Sequence, residues 1–308
     1  MVPMRIGRSA GLTDTGRRRR QNEDAFVCEP PLFAVADGMG GAQAGELASR
    51  LAAAAIEESA SAIHGEEEVA RVVRTANARI FEHSVRDPNA AGMGTTATVA
   101  LVDEQAGTAT LAHVGDSRAY RYRDRVLEQL TTDHSLVGEL LRSGRLTEDE
   151  AAIHPHRSVI TRALGTEADV DVDTSTIDLL PGDLLLICSD GLSAMVRDDD
   201  IVRLLEATSG DPHDAAEALV AAANKAGGED NVTVVLFELV EGDPGDRPAP
   251  APSTIGTDGD PTAESVLAAD DDAVRRHGPG KGSRWPALLF VLALLAIAAF
   301  LLWWSFLR

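Results

Sequence analysis

A chain of 308 residues that is 44% hydrophobic has enough apolar material for one large domain or two small ones. Its net charge of −21 argues against binding nucleic acid, because a phosphate backbone would be repelled. The first residues are polar and arginine-rich, unlike a secretory signal, so Cys28 and Cys188 read as reduced, buried thiols of a cytosolic domain.

In chain order, the body covers residues 5–240. An apolar strand at 32–36 ends at Asp37, and Gly38, Gly40 and Gly41 let the backbone turn tightly there. Helical periodicity spans 42–63 and 67–85. The β-branched runs 95–102 and 108–114 are joined by a turn-like segment, and 118–123 continues as a third strand, so an antiparallel meander is expected. Residues 184–188 and 232–237 are two more buried strands. Residues 198–206 and 214–225 read as helices with Asp198 and Asp214 as first-turn acids. Strands and helices are grouped rather than alternating, which predicts an α+β layered fold with antiparallel sheets and no internal repeat.

Residues 241–284 are rich in Pro, Gly, Ala, Asp and Ser without periodicity and read as a disordered tether. The 23 residues of 285–307 carry no charge, enough for a transmembrane helix, with Trp285 at one interface and Trp303-Trp304 at the other. Arg275, Arg276, Lys281 and Arg284 precede that span and only Arg308 follows it. The positive-inside rule then predicts a single-pass, tail-anchored protein of the cell membrane with its body in the cytoplasm.

Within the body, Glu23-Asp24, Asp37-Gly38, Asp116, Asp190-Gly191 and Asp230 each lie at the end of an apolar run or in a tight turn. Such places can aim a carboxylate into a shared pocket, and oxygen ligands of this kind suit Mg²⁺ or Mn²⁺. A single Asp before Gly is most often a turn former. Asp37, Asp116 and Asp190 all follow apolar runs in one ordered pattern, which turn formation alone does not explain.

The ordered series is Arg19-x-x-Asn22-Glu23-Asp24, Asp37-Gly38-Met39-Gly40-Gly41, Gly94-Thr95-Thr96, Gly115-Asp116-Ser117-Arg118, Ser189-Asp190-Gly191-Leu192 and Asp230-Asn231-Val232-Thr233. It resembles the metal-dependent type 2C serine/threonine protein phosphatases over nearly the whole body, and above all their actinobacterial membrane-tethered members. Those usually carry an extracellular domain after the membrane helix, which is not expected here. The resemblance implies a four-layer α-β-β-α sandwich with two central antiparallel sheets. It implies two Mn²⁺ or Mg²⁺ ions, with Asp37 bridging both, the Gly38 carbonyl on one, and Asp190 and Asp230 completing the pair. Glu23 would act through a metal-bound water with Asp24 behind it. Asp116 with Asp190 would form a third, weaker site. Arg19 would hold the phosphate, although the run Arg17-Arg18-Arg19-Arg20 leaves the choice resting on spacing. A metal-bridging hydroxide would attack phosphorus directly. Phosphoserine and phosphothreonine proteins are the implied substrates, membrane Ser/Thr kinases the implied partners, and residues 135–164 a helical flap that chooses among substrates.

One departure concerns proton delivery. Many eukaryotic relatives have His at the position of Met39, which has no proton to give. His134 and His156 are alternatives, although a lone His is more often structural. Rival chemistries fit poorly. A cysteine phosphatase needs Arg six residues after its Cys, where Ala34 and Ala194 stand. An aspartyl-phosphate enzyme would use Asp171-Val172-Asp173-Thr174-Ser175, which ends in Ser and follows no apolar strand. A serine esterase on Ser117 would need His213 as its base. The remaining alternative, a pseudophosphatase acting as a membrane-tethered binding module, is disfavoured because all the ligand positions are intact.

Overall fold

Eleven strands make two antiparallel sheets in the computed structural model, which describes residues 3–243 apart from 41–42, 60–64, 148–149 and 152. In chain order they are β1 (Met4–Asp14), β2 (Asp24–Glu29), β3 (Leu32–Met39), β4 (Gly94–Thr95), β5 (Ala97–Asp103), β6 (Thr108–Val114), β7 (Arg118–Arg123), β8 (Val126–Gln129), β9 (Asp173–Asp178), β10 (Leu184–Cys188) and β11 (Val232–Glu241). One sheet runs β1-β11-β10-β7-β8. The other runs β2-β3-β5-β6-β9, with the short β4 paired to β3.

Strand periodicity explains the layering, because successive side chains point to opposite faces. On β3, Phe33 and Val35 enter the core between the sheets, whereas Leu32, Ala34 and Ala36 face helices. On β11, Val235, Phe237 and Leu239 face the other sheet and Val232, Val234 and Leu236 face helices. The Phe33 and Phe237 rings stack across the middle with centroids 3.8 Å apart. Outside the sheets, α1 (Ala44–Glu57) and α2 (Gly65–Arg86) cover β3, β5 and β6. The short α3 (Leu136–Arg142) and α4 (Asp190–Ser193) precede α5 (Asp198–Ala207) and α6 (Pro212–Ala226), and these last two cover β10 and β11. Helix α6 starts at Asp211, whose side chain accepts from His213 and Asp214 N–H, with Pro212 at the first helical position. The expected four-layer α-β-β-α arrangement is thus observed.

Three expectations are corrected. The run 118–123 is a strand, but it does not extend a meander with β5 and β6. It crosses to the other sheet and pairs with β10 and β8. Gly115, at φ +113°, permits that crossing within three residues. The flap 135–164 is helical in α3 and again near Ala151, and otherwise made of turns. Cys28 is only half-buried, whereas Cys188 is fully buried; both are free thiols. Among the described residues no helix is long and apolar enough to cross a membrane. The predicted span 285–307, and the tether beyond residue 243, lie outside the described residues.

Candidate metal centre

The predicted carboxylates gather at one end of the sandwich. Asp37 lies near the end of β3, and its direct cross-strand partner on β2 is Asp24. Like charges placed opposite one another destabilise a ladder unless something positive lies between them. The backbone of Asp37 is braced from the end of β4 and the residue that links it to β5. Its N–H donates to Thr96 Oγ1 at 3.0 Å, and its carbonyl accepts from Thr96 N–H and Thr95 Oγ1, both at 2.9 Å. Thr96 Oγ1 also meets Ser117 Oγ at 2.6 Å, tying this corner to the Gly115 crossing. The Thr95-Thr96 pair therefore holds a site residue in place. Gly38 must be glycine, because an added Cβ would lie 2.2 Å from Gly45 O and 2.5 Å from Glu23 O.

The other sheet contributes Asp190 and Asp230. Asp190 opens α4 directly after β10 and Ser189, and Asp230 lies two residues before the start of β11. The two segments are laced together: Thr233 N–H donates to Ser189 Oγ at 3.0 Å and Ser189 N–H to Thr233 O at 3.0 Å. Thr233 Oγ1 also donates to Asp24 Oδ2 at 2.6 Å, across to the first sheet. Asn231 is a hub that the sequence reading left without a role. Its Oδ1 accepts from Glu23 N–H at 2.9 Å, and its Nδ2 donates to Thr15 O and Gln21 O, both at 2.9 Å. A buried amide inside a strand-entry motif was the available signal, since such a group must find partners. Arg19 reaches in from this loop and pairs with Asp230 Oδ2 at 2.7 Å.

The electrostatics unite these groups. Burial, then repulsion from Asp24, Asp190, Asp116 and Asp230, pushes Asp37 well above the usual carboxylate range. Burial likewise lifts Asp116 to about 8, with Asp190 the largest like-charge neighbour. Asp24 rises to about 7 and Asp190 to about 6, again chiefly through desolvation. Asp37 and Asp190 lie close enough to perturb one another's ionisation. Glu23 is raised by burial, against the pull of Arg19. Asp24, Asp37 and Asp190 still touch solvent. They sit in a pit dense enough with protein for desolvation to dominate.

This set fits hard divalent cations. Asp24 Oδ1 and Asp116 Oδ1 are buried acceptors without a hydrogen-bond partner. Every candidate donor is an oxygen, and the repulsion among the carboxylates is what a dication would relieve. Among the described residues, no three His, Cys, Asp or Glu side chains already form a closed cage. What marks the site is the shared pit and its orphaned oxygens.

His134 and His156 are not placed as proton donors. His134 is 4% exposed, and its Nδ1 accepts from Gly115 N–H at 3.1 Å. The proton of the neutral ring is then on Nε2, 3.1 Å from Asp173 Oδ2. Burial lowers its pKa, and both nitrogens are committed to holding the crossing next to Asp116. His156 is exposed on the flap beside His154.

The model of the Protein phosphatase 2C family matches residues 17–223. The chain belongs to that family. It is 39% identical over 238 residues to the serine/threonine phosphatase stp of Listeria monocytogenes, which covers 73% of this chain and 93% of that protein. It is 38% identical over 275 residues to the serine/threonine protein phosphatase PstP of Mycobacterium tuberculosis, 88% of this chain but only 52% of PstP. Among solved structures of the family, the M. tuberculosis phosphatase PstP/Ppp matches with a TM-score of 0.72 at 38% identity, covering 77% of this chain and all of that one. The PstP catalytic domain in complex with two manganese ions matches with a TM-score of 0.71 at 36% identity, again over 77% of this chain and all of that one.

Proposed function

We propose that this chain is a protein serine/threonine phosphatase that hydrolyses phosphoserine and phosphothreonine on proteins and depends on two Mn²⁺ or Mg²⁺ ions. One observation carries the reading: Glu23, Asp24 and Asp37 from one sheet and Asp190 and Asp230 from the other share a pit with Arg19 at its rim. Asp37, the Gly38 carbonyl, Asp190 and Asp230 would hold the pair of ions, with Glu23 acting through water and Asp24 behind. Asp116 with Asp190 would hold a third. When bound, the ions supply an acidified water and a clamp on the phosphoryl oxygens.

The chain's own residues define the remainder. The Arg19 side chain is 49% exposed, so its solvent side is open to take phosphoryl oxygens while Asp230 orients it. Protonation of the leaving alkoxide falls to solvent, because Met39 has no proton and His134 is committed at both nitrogens. The PstP neighbour solved with two manganese ions supports the metal requirement.

Residues 285–307 would anchor the body to the cytoplasmic face of the cell membrane through the 241–284 tether. Tethering raises the effective concentration near membrane Ser/Thr kinases, which we propose as partners. A pull-down from membranes that recovers no kinase would sink that part. The activity is tested by phosphate release from a phosphothreonine peptide by the full chain, with Mn²⁺ and with chelator, for wild type and Asp190→Asn. Metal-dependent turnover that the substitution abolishes is expected. Folded wild type without turnover across metals and peptides would point to a binding module instead.

A further inference from the structure

We propose that the loop Arg17-Arg18-Arg19-Arg20 selects substrates in which the phosphorylated residue is flanked by further anions, carboxylates or a second phosphate. The proposal rests on the phosphatase reading above and assigns work to the three arginines that reading leaves idle.

The loop is built rather than slack. Arg17 N–H and Arg18 N–H both donate to Gly228 O, at 2.7 and 3.1 Å. Asn231 Nδ2 grips the carbonyls of Thr15 and Gln21 on either side of it. Arg17 packs against the platform so closely that a Cβ on Gly228 would lie 2.8 Å from Arg17 Cγ. Gly228 leads directly into Glu229 and Asp230, so the arginines border the pit itself.

Charge at this rim does not cancel. Asp230 is matched by Arg19, and Glu229 by Arg157 of the flap at 3.3 Å. Arg17, Arg18 and Arg20 are exposed and form no ion pair among the described residues. In a chain where acidic residues outnumber basic ones 49 to 28, the longest basic run stands at the mouth of the proposed site. A solvated face needs charge of either sign, and the chain as a whole supplies mostly acidic residues for that purpose. Surplus positive charge placed here attracts what enters, within a screening length of about 10 Å at ordinary ionic strength. Residues next to one another in a substrate are separated by about 3.8 Å per step. Arg17, Arg18 and Arg20 stand one or two residues from Arg19, so with the reacting phosphoryl group at Arg19 the flanking residues of a substrate come within about one screening length of them. Planar guanidinium forks suit both carboxylate and phosphate.

The test compares the full chain with the triple variant Arg17→Ala/Arg18→Ala/Arg20→Ala, which keeps Arg19. Four substrates are used with Mn²⁺: p-nitrophenyl phosphate and phosphothreonine peptides with neutral, Asp/Glu-rich or second-phosphothreonine flanks. Wild type is expected to show kcat/KM about tenfold higher on the anionic peptides than on the neutral one. The variant should lose that preference while keeping its rate on p-nitrophenyl phosphate and the neutral peptide. Wild type should lose it too near 1 M salt, where the screening length is about 3 Å. A gain with only one type of flank supports the proposal and names the anion. Equal rates on all peptides, or a preference that survives in the variant, overturn it. If no substrate is hydrolysed, the phosphatase reading has failed, and fluorescence anisotropy of the same peptides decides the loop separately. Anionic binding lost in the variant supports it, and indifference overturns it. Binding to phosphatidylserine vesicles that falls in the variant, with peptide preference unchanged, would assign the loop to the membrane surface and overturn the proposal.

Discussion

Two ends of the same sandwich treat buried carboxylates in opposite ways. Near the start of β10, Asp183 is 1% exposed and fully matched: Arg123 holds both its oxygens, and Leu180 N–H donates to Oδ2 at 2.8 Å. At the other end of β10, Asp24, Asp37, Asp116 and Asp190 press against one another, and two of their oxygens have no partner. Completed pairing marks where the fold secures itself. Missing pairing marks where it waits for a cation.

The largest effect should come from Asp37→Asn. Metal-dependent turnover should fall by about a thousandfold or more, because the carboxylate shared by both ions is lost. The same change should raise the melting temperature of the chelator-treated protein at alkaline pH, where Asp37 would otherwise have to ionise among like charges. A drop in that melting temperature would break the contrast between the two ends. Next is Arg123→Ala at the matched end. Leaving Asp183 buried and unpaired should cost about 3 kcal/mol of stability by denaturant titration. Turnover per folded molecule should stay at the wild-type level, and a parallel loss of turnover would show that the ends are not independent.

The smallest effect sharpens the contrast through pH. The folded-state values of about 6, 7 and 8 for Asp190, Asp24 and Asp116 lie above the ordinary unfolded value of about 3.9. Stability from such groups is fully present at low pH and is lost as pH rises through the folded-state values. The metal-free protein should therefore melt at progressively lower temperature from about pH 5 to about pH 8, and Mn²⁺ should flatten that slope. A metal-free melting temperature that rises over this window would refute the electrostatic account of the pit.

Strands whose apolar residues dominate were legible from sequence alone: β3, β6, β10 and most of β11. Edge strands were not. β8 and β9 show mostly exposed or half-buried residues, and β1 carries polar residues along much of its length. Sequence neighbours also do not reveal which sheet a strand joins, so β7 was placed beside β6 although Gly115 turns it away. At the site, the carboxylates and Arg19 stood out because their motifs are local. The supports did not, because Asn231, Thr96 and Thr233 act on residues 59 to 216 positions away.

The pairing of β1 with β11 joins the first strand of the body to the last. Asp230, Asn231 and the platform under the arginine loop all belong to the segment that enters β11. During synthesis the N-terminal strand must stay without its neighbour until nearly the whole body has left the ribosome. A partial chain thus carries most of a phosphatase sequence and no phosphatase site. Activity arises only with the final strand, and a body clipped before residue 230 would be silent rather than weakened.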